Sequence, residues 1–382
     1  MKTLIQNALI FDSIHRTPFT GNILIDNGKI AAIGPDIACA DADIFDAAGL
    51  RAYAGFIDAH SHLGLAGYGI GYEGTDYNEM NDIVTPHLRG IDGFKPMQPS
   101  LDNAARGGVT TVCVGPGSAN VLGGTFFAVK TVGRCVDDMV VRDPIAMKCA
   151  FGENPKRCYR DKCDTSRMTT AAKLREMLFK AREYERKIQA AGDDESKLPA
   201  FDMKLEALRP VIRGELPLKA HAHATEDIFT AIRIAREFGV KLTLEHVTEG
   251  HLIVEELARA GYPCAVGPSL GDASKWELRN MSFTTPGILA RAGIKVSIIT
   301  DADVIPQQYL PLCAGLAVKS GMDPFDALQA ITINPALHAG IQDRVGSLEA
   351  GKDADIVIAD GDPFEVSACN RAVFVNGKNI LA

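Results

Sequence analysis

The chain has 382 residues, 46% hydrophobic and 23% charged, which is enough apolar material to bury a large core in more than one structural unit. A formal net charge of −8 gives no general drive toward nucleic acid or an anionic membrane, and no run of 18 apolar residues is present. The 9 cysteines are odd in number and form no C-x-x-C pair, which argues against a disulfide framework and for reduced thiols packed in a core. The first residues, Met1 to Asn7, lack the apolar run of a signal peptide, so the expected setting is the cytoplasm.

In chain order, short β-rich runs come first, at Leu4 to Phe11 and Gly21 to Ile33, with Asn27-Gly28 as a hairpin turn between apolar positions. From about residue 53, strand-like runs alternate with helical patterns. Strands are predicted at 110–114, 145–151, 218–221, 241–246, 262–266 and 295–300, and helices at 225–238, 252–259 and 324–331. That alternation predicts a parallel α/β sheet. Residues 170–210 read as an insertion whose 171–191 portion, rich in Lys, Arg, Glu, Leu and Ala, is a long helix. Short strands return at Asp355 to Ala359 and Arg371 to Lys378. The expected architecture is a (β/α)8 TIM barrel over 55–340, with a small β-sandwich domain assembled from 1–54 and 341–382.

Two histidine pairs stand out, His60-Ser61-His62 and His221-Ala222-His223. Residues at i and i+2 of a strand share a face, so each pair can converge on one ion. With 9 histidines in the chain, chance supplies on the order of 0.2 such pairs. His246 and Asp301 also end predicted strands, and the C-terminal ends of parallel barrel strands form one face where distant residues meet. Imidazoles with a carboxylate make a ligand set suited to zinc, iron, manganese or cobalt. His15, His251 and His338 fall outside this pattern and read as structural.

The stretch Gly55-Phe56-Ile57-Asp58-Ala59-His60-Ser61-His62, followed by His221, His246 and Thr300-Asp301, resembles the amidohydrolase superfamily of metal-dependent hydrolases. The closing run Gly346 to Val357 (GSLEAGKDADIV) resembles it too, and the likeness spans the chain. Within that superfamily the chain is most similar to the imidazolonepropionase-related and prolidase-related group. The resemblance implies that His60, His62 and Asp301 hold one divalent ion, most simply Zn2+, and that His221 and His246 hold a second. It further implies a bridging carboxylate, with carboxylated Lys148 on the fourth strand as first choice and Glu153, just past that strand, as the alternative.

This ligand set predicts water activated for attack on a carbonyl, with Asp301 as proton shuttle and His223 as a neutral donor to the developing oxyanion. Lys156 and Arg157 follow the Lys148 strand and are candidates for holding a substrate carboxylate. The long loop 64–99, carrying Tyr68, Tyr72, Glu73, Asp76 and His87, is expected to shape the pocket, and Gly115 to Asn120 and Gly123-Gly124 read as tight turns at the same rim. The expected activity is hydrolysis of a C–N bond in a cyclic amide, an N-acyl compound or a dipeptide-like small molecule. The alternative is deamination of a heterocyclic or guanidine-like amine at a single metal. A homo-oligomer acting on a small molecule, without nucleic acid or membrane partners, is the expected state.

Overall fold

The computed structural model describes residues 2–68, 71–162 and 165–382. The chain opens with β1 (Lys2–Phe11), β2 (Phe19–Asp26), β3 (Lys29–Gly34), β4 (Asp43–Asp46) and β5 (Arg51–Ala54). Asn27 and Gly28 both take positive φ, 48° and 79°, the turn that lets β2 and β3 pair tightly with the twist of the strands preserved. β1 is bulged between Ile5 and Ala8; its first half pairs with β4 and its second half with β5.

The last strands, β14 (Ile356–Ala359), β15 (Asn370–Val375) and β16 (Lys378–Asn379), join this set through β5 and β14 to give one eight-stranded sheet branched at β1. Phe45 of β4 packs edge-on to Phe374 of β15, ring centres 5.9 Å apart, so the branch folds back over the sheet around a core of Ile5, Ile10, Ile23, Ile25, Ile356 and Ile358.

Between the two β segments lies a second eight-stranded sheet: β6 (Phe56–Ser61), β7 (Val109–Val114), β8 (Leu122–Lys130), β9 (Val140–Ala150), β10 (Leu218–Ala222), β11 (Leu242–His246), β12 (Cys264–Val266) and β13 (Val296–Ile298), hydrogen-bonded in that order. β6, β7, β10 and β11 are buried along their whole length, as strands covered on both faces must be. The chain beyond β13 returns to β6: His62 N donates to Ala302 O at 2.7 Å and Thr300 N to Asp58 Oδ2 at 2.9 Å. The barrel is thereby nearly closed.

One strand departs from the all-parallel expectation. β8 runs antiparallel to both β7 and β9. Only residues 115–121 separate β7 from β8, too few for a helical crossover, and a short connection is what antiparallel neighbours permit. Gly123 and Gly124, read from sequence as a rim turn, lie inside β8. Gly124 has φ 117°, and a Cβ there would collide with Leu88 O, so glycine admits the loop 64–99 against this strand.

The insertion forms the helix Arg167–Ala191, capped by Ser166, whose side chain accepts from Thr169 N, and the helix Met203–Ile212 packed beside it through Arg209–Glu185 at 2.6 Å. Helix Thr225–Phe238 ends at Gly239 in the left-handed conformation, φ 68°, as the end of a regular helix requires. Among the described residues no helix is long and apolar enough to cross a membrane.

Candidate metal centre

The strand ends of the barrel bring the predicted residues into two groups, His60 with His62 and Asp301, and His221 with His223 and His246. Within each group, the atoms able to bind a metal lie within 4.8 Å of one another. The groups adjoin: the rings of His60 and His246 are 5.0 Å apart, and those of His221 and His246 are 4.3 Å apart. His246 and Asp301 have positive φ, 74° and 52°, sparsely populated for side-chain-bearing residues; local backbone strain has been accepted where these groups face inward.

Each ring but one is oriented by a partner on Nδ1. His62 Nδ1 is 2.8 Å from Gly115 O, His246 Nδ1 is 2.8 Å from Gly267 O, His60 Nδ1 is 2.9 Å from Glu245 Oε2, and His223 Nδ1 is 2.7 Å from Thr248 Oγ1. Their Nε2 atoms are therefore left for the centre. His60 and His62 point Nε2 at Asp301 Oδ1, 3.7 and 3.3 Å away. The Tyr77 ring stacks on His62 with centres 5.0 Å apart.

Burial, with nearby cations such as Lys148 and Lys275, holds His60, His221 and His223 well below their ordinary pKa and brings His246 down to about 4. Burial alone would raise Asp301, but the facing imidazoles, His246 and His62 foremost, hold its carboxyl well below the usual range. Neutral imidazoles beside an ionised carboxylate are in the protonation states metal binding requires. His221 Nδ1 and Nε2, His246 Nε2 and Asp301 Oδ1 are buried without hydrogen-bond partners. A divalent cation would satisfy such atoms, so the residues present fit one.

Lys148 sits on β9, fully buried, with Nζ 3.0 Å from His60 Nε2 and over the Phe126 ring. Burial pushes its pKa down to about 8 against the opposing charges of Asp301 and Glu245. Glu153, the competing bridge, opens the short helix Glu153–Cys158 and belongs to neither group; its backbone N donates to Glu277 Oε2 at 2.9 Å.

Lys156 and Arg157 are exposed on that helix, and Tyr72 is 89% exposed on the wall of a surface cavity of about 520 Å3 that Asp76 and Tyr77 also line. Beside the second group lies another cation, Lys275, 2.7 Å from Glu277 Oε1, which itself lies 3.8 Å from both His221 and His223 Nε2. Sequence reasoning did not single out Lys275, Glu277, Tyr77, Glu245 or Lys219. A lysine in the apolar run Leu218–Ala222 was the available signal for Lys219. His338, read as structural, is also buried, and its Nε2 lies 2.8 Å from Glu245 Oε1.

The amidohydrolase family model matches residues 51–380. A solved amidohydrolase from Thermotoga maritima superposes with a TM-score of 0.96 at 39% identity, covering 99% of each chain. The amidohydrolase tasK of Hapsidospora irregularis is 30% identical over 98% of this chain, which spans 43% of that longer protein. An imidazolonepropionase from Symbiobacterium thermophilum is 27% identical, covering 88% of this chain and 83% of its own. With this likeness extending over the barrel and the flanking β strands alike, the chain belongs to the amidohydrolase family and is a metal-dependent hydrolase of carbon–nitrogen bonds.

Proposed function

We propose that the protein hydrolyses the amide bond of a cyclic amide, an N-acyl compound or a dipeptide-like small molecule. The observation that carries this reading is the position of Lys148, buried within 3.0 Å of His60 Nε2 in a site whose other group is His221, His223 and His246. In this reading His60, His62 and Asp301 would hold one divalent ion, His221 and His246 would hold a second, and Lys148, as its carbamate, would supply a further carboxylate ligand. Zinc suits the set best; iron, manganese and cobalt suit it next. When bound, such ions lower the pKa of water and polarise a carbonyl.

The chain's own groups supply the proton transfers. Asp301, held ionised, accepts a proton at its carboxylate from the attacking water and returns it to the leaving nitrogen. Thr248 can donate to His223 Nδ1, which puts the His223 proton on Nε2 and makes that nitrogen a donor to the carbonyl oxygen. Lys275 is the better-placed cation for an acidic substrate group than Lys156 or Arg157, because its charge already bears on the site histidines. The family resemblance to an imidazolonepropionase supports a cyclic amide. We take 1–54 and 341–382 as two parts of one β-sandwich domain around a barrel at 55–340, working in the cytoplasm.

Elemental analysis of protein purified without added metal, followed by substrate panels, tests the reading. Near two equivalents of metal with turnover of cyclic amides or dipeptides is the expected result. One equivalent, with ammonia released from aminated heterocycles and no amide hydrolysis, would move the assignment to a deaminase.

A further inference from the structure

Glu245 is fully buried on β11 and its two oxygens meet four donors. Oε2 lies 2.9 Å from His60 Nδ1 and 2.7 Å from Lys219 Nζ, while Oε1 lies 2.8 Å from His338 Nε2 and 2.7 Å from Thr243 Oγ1. Four contacts fill the acceptor capacity of an ionised carboxylate. Being acceptor-only, it obliges each neighbour to donate, so His60 carries its proton on Nδ1 and presents a bare Nε2. Lys219 also donates to Ala59 O at 2.9 Å, so the same cation fixes the carboxylate and the backbone immediately before His60.

The other oriented imidazoles of the centre lean on neutral partners: His62 on Gly115 O, His246 on Gly267 O and His223 on Thr248. Among the described residues of the two groups, His60 alone has an anionic one. A carboxylate behind an imidazole fixes its tautomer and plane and raises its basicity as a ligand.

We propose that Glu245 is a positioning residue that makes the His60, His62 and Asp301 group the tighter of the two metal sites, with Lys219 and His338 holding the carboxylate. The inference rests on the reading of His60 as a ligand. It predicts an ordered site: the first ion is held at His60, and the last ion lost to a chelator leaves from there.

The test is zinc titration of metal-stripped protein against a competing chromophoric chelator, with imidazole 15N spectra to identify the His60 tautomer. The double variant Glu245→Leu/Lys219→Met removes both charges at similar volume, so the core is not left with an unpaired ion. It should fold, lose roughly 10- to 100-fold in affinity for the first ion, hold the second as wild type does, and lose the defined Nδ1–H signal of His60. Glu245→Gln, which keeps one carbonyl acceptor for His60, should fall between. Wild-type affinity for the first ion in the double variant, or an equal loss at both sites, overturns the proposal. Should the double variant not fold, unchanged first-ion affinity in Glu245→Gln overturns it in the same assay. Wild-type protein that binds no zinc would instead remove the ligand assignment beneath it.

Discussion

Lys148 Nζ and Asp301 Oδ1 converge on one atom, His60 Nε2, at 3.0 and 3.7 Å. The amine and the carboxylate therefore share the space where an ion would sit. Burial disfavours the ammonium form and brings Lys148 to about 8, so a substantial neutral fraction is present at mildly alkaline pH to react with carbon dioxide. Lys148→Ala should lower bound metal toward one equivalent and regain part of it with short carboxylic acids. Glu153→Ala should leave metal content unchanged, because that side chain belongs to neither group. Elemental analysis of the two variants side by side decides between them, and metal loss in Glu153→Ala alone would transfer the bridge to Glu153.

Asp301→Asn keeps the shape of the side chain but removes its basicity. General acid–base catalysis by one group is typically worth about 10²–10⁴-fold, so kcat should fall by at least that range while thermal unfolding stays within a few degrees of wild type. Activity within tenfold of wild type would end its assignment as proton shuttle.

The histidine centre was legible because its side chains fall at strand ends, where the sequence pattern changes from apolar to polar. His60, His62, His221, His246 and Asp301 were readable for that reason. β8 was not legible: two glycines interrupt its pattern, and no helix precedes it to signal a crossover. Glu245 and Glu277 escaped for a different reason. Their roles depend on a partner 185 residues away, His60 for Glu245, or on the short turn Trp276–Leu278 bringing Glu277 to His221 and His223, and neither carries a local signature.

The closing run of the chain does structural work at the junction of the two eight-stranded sheets. Lys130 of β8 is buried against Asp353, at 3.0 Å, and Asp355, with Lys29 and Arg344 also on Asp353. Removing one partner of a buried charge cluster leaves the others uncompensated, so Lys130→Met should destabilise by about 3–5 kcal/mol. Burial alone would raise Asp353, but Lys130 and its companions hold it below its ordinary value. A carboxylate with a depressed folded pKa adds stability above its unfolded value of about 3.9, which is lost as pH falls through the lower folded value. Urea unfolding should therefore show this contribution intact at neutral pH and declining only below about pH 4. In Lys130→Met the folded value moves back toward the unfolded one, so the acid decline should be smaller and end at a higher pH; an unchanged acid limb would show that Lys130 is not what depresses Asp353.

Gly152 links β9 to Glu277. It has φ 81°, and a Cβ there would collide with the Glu277 carboxylate and come within 3.0 Å of Asp227 Oδ2. Gly152→Ala thus forces a side chain onto a backbone, φ 81° and ψ −142°, that is open essentially only to glycine, and also displaces Glu277 from its place 3.8 Å from His221 and His223. Gly214 provides the control, because its φ is 71° and a Cβ there meets nothing within 4 Å. Both alanine variants should lose stability from a positive φ, and Gly152→Ala should be the less stable of the two because it also meets Glu277 and Asp227. Only Gly152→Ala should lose activity, by tenfold or more in kcat/KM, since only it disturbs the carboxylate that balances Lys275 beside the histidines. Equal activity in the two variants at matched folded fraction would show that the position of Glu277 does not matter to catalysis.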